Sequence, residues 1–249
     1  MTTITKRDAI KTITTYYIDG AFVESHGRET MDIISPLDQA IPSALIMAFL
    51  NSGQACAAGT RLLVAKSRLN EVKQGIRTAM RDFAVGDPAD PKTAIGPMAS
   101  QKQDERVQSF IRKGIEEGAE VLAGGEGHPA GLEVGYFVKP TVFVNVKNDM
   151  TIAQEEIFGP VLCVITYDSE DDAIRIANDS KYGLHAAVLG TDLARARRVA
   201  SQIRAGRVVI NGMTDDPQAP WGGFKYSGVG REFGRYGIEA FLEPRAILE

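Results

Sequence analysis

The sequence has only two cysteines, Cys56 and Cys163, among its 249 residues. Two cysteines so far apart predict free thiols rather than a disulfide framework. No stretch approaches the roughly 20 consecutive apolar residues that span a bilayer, and the first residues are too polar for a secretory signal. These absences argue against membrane association and lead us to expect a cytoplasmic protein.

The net charge is small, and histidines are few. The formal net charge is −4, from 28 basic and 32 acidic residues, and no basic run is interleaved with aromatic residues. Nucleic acid is therefore not an expected partner. The three histidines, His26, His128 and His185, have no metal-ligand spacing, so neither a metal site nor a Cys-His pair is predicted.

Strand-like and helix-like segments alternate along most of the chain. The apolar runs RLLVA (61–65) and GPVLCVITYDS (159–169) indicate buried strands, and apolar residues at helical spacing follow several such runs. Because parallel neighbours need crossover connections, this alternation predicts an α/β fold with a mainly parallel sheet and flanking helices. Ser67, Ser100 and Ser169 are predicted to cap helices.

Two local patterns precede the first buried strand. An Asp19-Gly20 turn in YYIDGAFVE (16–24) predicts a small β hairpin. The apolar run that opens at Pro42 and stops at Gly53 predicts a buried helix.

Cys56 follows that helix in the segment NSGQACAAG (51–59). Its small neighbours leave room for a substrate carbon, and nearby backbone N–H groups can stabilise a thiolate and a developing oxyanion. The alternative interpretation is that Cys56 is a small buried hydrophobic residue. Cys163 lies inside the apolar run VLCVI, which predicts a core position.

Three segments together resemble the aldehyde dehydrogenase superfamily. NSGQAC (51–56) is similar to its cysteine motif, QEEIFGPVL (154–162) to its coenzyme-contacting motif, and PWGGFKYSGVGRE (220–232) to its C-terminal signature. They occur in the family's order and at compatible spacing. The resemblance implies a small-molecule aldehyde as substrate, NAD or NADP as coenzyme, and oxidation to a carboxylic acid.

The resemblance also implies residue roles. Cys56 matches the nucleophile that passes through a thiohemiacetal and a thioester. Glu156 matches the residue that binds the nicotinamide ribose hydroxyls, and Phe158 matches the ring beside the nicotinamide. Asn51 has two interpretations, a functional role and a helix C-cap, and the sequence does not decide between them.

One departure from the family is large. The Rossmann-like coenzyme domain, an oxyanion-holding Asn and a general-base Glu would precede the cysteine segment, but the sequence passes almost directly from SPLDQA (35–40) to IPSALIMAF (41–49). We therefore expect an internally shortened member with a join between Pro36 and Pro42, weak coenzyme binding and impaired activity. We expect the chain to form homo-oligomers or to associate with a full-length homologue.

The resemblance divides the chain into three regions. Residues 1–40 are expected to be an amino-terminal β remnant of the coenzyme-binding domain, and residues 41–228 the catalytic domain. Residues 229–249 form a C-terminal tail with a possible oligomerisation strand.

Overall fold

The computed structural model describes residues 15–18, 21–24, 36–212 and 216–248. Two compact units are present, one within residues 1–35 and one from Pro36 onward. The first contains strands β1 (Thr15–Ile18) and β2 (Ala21–Glu24). They pair antiparallel, with Ile18 opposite Ala21. The predicted hairpin strands are confirmed, while the turn residues Asp19 and Gly20 lie outside the described residues.

The second unit alternates helices and strands. In chain order its elements are α1 (Pro36–Phe49), β3 (Arg61–Ala65), α2 (Leu69–Ala79), α3 (Gln101–Glu116), β4 (Glu120–Ala123), β5 (Thr141–Val144), α4 (Thr151–Gln154), β6 (Val161–Tyr167), α5 (Glu170–Asn178), β7 (His185–Val188), α6 (Leu193–Ala200), β8 (Arg207–Ile210) and α7 (Gly234–Glu239). No helix among the described residues is long and apolar enough to cross a membrane.

The main sheet has the strand order β3-β6-β5-β4. β6 runs parallel to both β3 and β5, and only the edge strand β4 is antiparallel. β7 and β8 form a separate parallel pair. The predicted α/β fold with a mainly parallel sheet is therefore confirmed.

Helices cover both faces of the main sheet. Successive strand residues point to opposite faces, so Val142 and Leu162 pack with α1 and α2, whereas Phe143 and Cys163 pack with α3 and α4. Apolar helix residues cover the sheet on both sides, which explains why β5 and most of β6 are fully buried. Burial on both faces therefore fixes the positions of β5 and β6.

Helix α1 begins six residues earlier than predicted. Pro42 lies in its interior, where a missing N–H leaves the carbonyl of residue 38 without its usual intrahelical partner. Leu37 and Ile41 nevertheless pack into the same core as Leu45, so the apolar face extends across the proline and holds the helix together. The helix runs without interruption through residues 36–42, where the sequence predicted the join. The boundaries predicted at residues 40 and 228 stay predictions.

Candidate active site

Cys56 follows a sharp reversal at the end of α1. The chain passes through a 3-10 turn, Leu50–Gly53, in which Asn51 and Ser52 have left-handed φ angles of 50° and 59°. Asn51 Nδ2 donates a hydrogen bond of 3.1 Å to the Gln54 carbonyl, which closes the turn. The Asn51 side chain thus stabilises the backbone turn at this helix end. The reversal turns Cys56 outward, and the residue is exposed.

Two side chains hold the cysteine loop, which we define as residues 50–58, against residues 96–99. Ser52 Oγ accepts from the Gly96 N–H at 3.0 Å and lies 3.2 Å from the Gly96 carbonyl. Gln54 Oε1 accepts from the Ala99 N–H at 2.8 Å. The loop is therefore tied down on both sides of Gly53.

Gly53 brings the cysteine motif into contact with the second motif. Its φ is +73°, and a Cβ built on it would overlap the Gly159 carbonyl and approach the Pro160 nitrogen. Gly159 in turn packs on Val107 of α3. The cysteine motif consequently rests directly on the segment that contains Glu156 and Phe158.

The Glu156–Phe158 segment is held by its backbone. Arg106 Nη2 donates to the Glu156 carbonyl at 2.7 Å, and Gln103 Nε2 donates to the Phe158 carbonyl at 2.7 Å. These bonds leave the Glu156 carboxylate exposed. Phe158 is half-buried and has a left-handed φ of 61°, a costly conformation for an aromatic residue.

A cavity of about 640 Å³ contains both Cys56 and Glu156 in its wall. Residues of β3 line one side and residues of β7 line another. Phe158 does not line this cavity. Of the three predicted site residues, the structure therefore brings Cys56 and Glu156 to a common space and places Phe158 outside it.

Cys56 and Glu156 lie beside the amino-terminal ends of two parallel strands, and the cavity also extends along β7 to Leu189. Cys56 precedes β3, and Glu156 precedes β6. The Thr60 carbonyl accepts from the Cys163 N–H at 2.8 Å, which fixes the two strand starts side by side. Open α/β sheets usually bind ligands at the opposite, carboxyl ends of their strands, so fold class alone would have misplaced this site.

His185 adds a titratable group that sequence spacing did not connect with Cys56. Its Nδ1 lies 3.0 Å from the carbonyl oxygen of Ala57, which follows Cys56 in the chain. Burial lowers the pKa of His185, the hydrogen bond to Ala57 partly opposes that effect, and nearby Arg207 adds to it. The two segments are 128 residues apart, so only the fold reveals the contact.

Other charged groups near the cavity are mostly structural. Arg61 Nη2 donates to Asn148 Oδ1 at 2.5 Å and to the Ile176 carbonyl at 2.6 Å, and burial lowers the pKa of Arg61. Lys181 Nζ lies 2.7 Å from Glu155 Oε1. No cluster of three potential metal ligands occurs in the part of the chain that the structure describes.

Cys163 is fully buried in the sheet, as predicted. Burial raises the pKa of its thiol to about 12. The neutral, enclosed thiol is therefore a poor nucleophile, which leaves Cys56 as the reactive candidate.

Comparison with known proteins supplies an independent line of evidence. A model of the aldehyde dehydrogenase family matches residues 22–247. A Staphylococcus haemolyticus protein named as a putative aldehyde dehydrogenase is 53% identical over 197 residues, which cover 79% of this chain and 42% of that protein.

Two solved structures are similar in fold. One is a cysteine-to-alanine mutant of aldehyde dehydrogenase C from Pseudomonas syringae with NAD+ and octanal, at 48% identity and a TM-score of 0.81, covering 83% of this chain and 43% of that one. The other is a Mycobacterium tuberculosis aldehyde dehydrogenase with NAD+, at 49% identity and a TM-score of 0.80, covering 82% and 42%. The chain thus spans less than half the length of the relatives it matches.

Proposed function

The chain belongs to the aldehyde dehydrogenase family, and from that premise we propose that it binds aldehydes covalently at Cys56 and oxidises them to carboxylic acids with NAD or NADP. The observation that carries this proposal is the exposed Cys56 thiol in the wall of a cavity of about 640 Å³ that also contains Glu156. A substrate carbon can reach the sulfur there. The buried Cys163 offers no such access.

The covalent step explains why a cysteine is needed. The Cys56 sulfur attacks the carbonyl carbon and forms a tetrahedral thiohemiacetal, from which hydride can leave where the free aldehyde cannot lose it. The coenzyme, when bound, supplies the acceptor for that hydride. The resulting thioester on Cys56 is then hydrolysed to release the acid.

The residues present fit part of a coenzyme. The exposed Glu156 carboxylate can accept hydrogen bonds from ribose hydroxyls at the cavity that Cys56 shares. Phe158 is proposed to flank the nicotinamide after a rearrangement, because its ring does not line the cavity here. With no Rossmann-like phosphate-binding segment in this sequence, we expect weak coenzyme binding and slow oxidation.

Nicotinamide absorbance in the presence of a panel of aldehydes tests this function. The wild-type chain should give a small, aldehyde-dependent increase that Cys56→Ser abolishes. Glu156→Gln should raise the coenzyme concentration needed for half-maximal rate and leave Cys56 alkylation unchanged. A signal equal to that of Cys56→Ser would reject oxidation by this chain alone.

A second candidate function is association with full-length subunits or with other copies of this chain. Four apolar residues near the C-terminus are strongly exposed: Phe241, Leu242, Ile247 and Leu248. A contiguous exposed apolar patch is typical of an interaction surface, and we propose that these residues form one and that the tail supplies an oligomerisation strand. Co-expression with a tagged full-length homologue should recover this chain in a mixed oligomer, and a chain that stays monomeric would reject the idea.

A third candidate is thiol esterase activity, because acyl transfer to Cys56 requires no coenzyme. Exposure of Cys56 favours it. Ester turnover that persists in Cys56→Ala would exclude this activity.

A further inference from the structure

His185 contacts the residue that follows the proposed nucleophile and has no role in the chemistry described so far. Its imidazole contacts the Ala57 carbonyl, and both His185 and Cys56 line the same cavity. A carbonyl oxygen can only accept a hydrogen bond, so the 3.0 Å contact requires a proton on Nδ1. In the neutral ring, Nε2 then carries the lone pair.

The ring is held in place by its surroundings. His185 is half-buried, and the Trp221 ring lies 6.1 Å away between centroids. Arg207 in turn stacks on Trp221, with its guanidinium carbon 4.8 Å from the Trp221 ring centroid. Within the described residues, Nε2 of His185 has no hydrogen-bond partner of its own, and His185 is one of the residues that line the cavity.

The electrostatic surroundings favour the neutral ring. Burial and the positive charge of Arg207 both disfavour protonation of His185. The Cys56 thiol is the titratable group on the neighbouring loop. The other titratable groups that line the cavity are Arg61, Glu155, Glu156, Tyr167, Tyr182, Arg204 and Tyr226.

The carboxylates in that set are less suited to act as bases. Glu155 is paired with Lys181 at 2.7 Å. Glu156 is exposed and is proposed to bind the coenzyme. His185 is the basic group that contacts the cysteine loop itself.

We propose that His185 is the general base that hydrolyses an acyl group carried on Cys56. This inference rests on the proposed function, in which Cys56 is the nucleophile. Nε2 takes a proton from water as the water oxygen bonds to the thioester carbonyl carbon. The tetrahedral adduct then breaks its carbon–sulfur bond, and the proton on Nε2 passes to the departing sulfur. The products are a carboxylic acid and the free Cys56 thiol, so atoms and charge balance without an oxidant.

Coenzyme-free hydrolysis of p-nitrophenyl acetate tests this role. The burst of p-nitrophenolate measures acylation of Cys56, and the steady phase measures hydrolysis of the acetyl-enzyme, which mass spectrometry also follows. His185→Gln should keep the burst and slow the steady phase about 100-fold, the scale expected for loss of a general base. The control variant His128→Gln, whose ring lies 3.9 Å from Asp104 and outside the cavity, should behave as wild type.

The unmutated protein provides a second measurement that does not depend on the variants folding. Its hydrolysis rate should rise with pH as His185 loses its proton and then level off, with the midpoint that NMR gives for the His185 ring. In His185→Gln the rate should instead follow hydroxide concentration.

The outcomes separate the two proposals. A normal burst with unchanged hydrolysis in His185→Gln, or a profile with no midpoint at the His185 titration, would overturn the role of His185 and leave Cys56 as nucleophile. Loss of hydrolysis in Glu156→Gln but not in His185→Gln would assign the base to Glu156 and would also overturn it. No burst in the wild-type chain would reject Cys56 acylation, and the role of His185 with it.

Discussion

The backbone of Gly53 packs directly on the carbonyl of Gly159. The cysteine loop is therefore in direct contact with the segment that contains Glu156. A side chain at residue 53 has no space, because its Cβ would overlap that carbonyl. The φ of +73° at residue 53 adds a conformational cost for any other residue. The geometry of the site therefore depends on this glycine.

Gly53→Ala should lower the free energy of unfolding by about 2 to 4 kcal/mol, from steric overlap and a left-handed alanine. Urea unfolding measures the change. Gly118→Ala is the matched control, because Gly118 also has a positive φ of +90° but nothing lies within 4 Å of its built Cβ. The control should cost about 1 to 2 kcal/mol. Equal losses in the two variants would show that the contact with Gly159 contributes nothing.

The two thiols should differ sharply in reactivity. Cys56 is exposed, whereas Cys163 is fully buried with a thiol pKa of about 12. The native protein should therefore react at one thiol with a disulfide reagent and at two in denaturant. Cys56→Ser should show none in the native state, and Cys163→Ser should react as wild type. Fast modification of Cys163 in the folded chain would contradict the buried position.

Three serines were predicted to cap helices, and the structure agrees with two of these predictions. Ser100 Oγ accepts from the Gln103 N–H, and Ser169 Oγ accepts from the Asp172 N–H, as predicted. Ser67 was predicted wrongly: it lies inside a 3-10 turn, Lys66–Arg68, and α2 begins after Arg68 without a side-chain cap. Ser100→Ala should cost about 1 kcal/mol.

Ser67→Ala, an exposed serine without a cap bond, is the control and should change stability by less than about 0.5 kcal/mol. Thermal or urea unfolding compares the two variants. A loss at Ser67 as large as that at Ser100 would mean that capping does not explain the difference.

These cases show what local sequence can predict. Strands such as β6 follow from continuous apolar runs, and caps follow from a serine three residues before a free N–H. The prediction that Ser67 caps a helix was wrong because the same local pattern is compatible with a tight turn before the helix. The predicted start of α1 was wrong because Pro42 locally signals a helix start. Leu37 and Ile41 pack in a core that forms only when the chain folds.

The candidate site likewise has parts that local sequence predicts and parts that depend on the folded chain. The motifs containing Cys56 and Glu156 could be recognised along the chain, and the structure brings both to one cavity. The contact of His185 with Ala57 could not be predicted, since it joins the start of β7 to a loop 128 residues away. Phe158 shows the reverse: its motif is plain in the sequence, but its side chain lies outside the cavity.

The lowered pKa of His185 predicts a pH dependence of stability. Burial disfavours the protonated ring in the folded chain, so the folded-state pKa lies below the ordinary value of 6.5 that applies when the chain is unfolded. Between these two values the unfolded chain binds more protons, and the free energy of unfolding must rise with pH. The His185 contribution is therefore complete above the unfolded value and is lost as pH falls through the window below it.

Urea unfolding at a series of pH values should show this slope in the wild type and a flatter curve in His185→Gln. The missing Ala57 contact should shift the variant curve by a constant amount. His128→Gln controls for the loss of a different histidine and should retain the slope. If the curves of wild type and His185→Gln run parallel below 6.5, the ring titrates alike in both states, and burial does not hold His185 neutral.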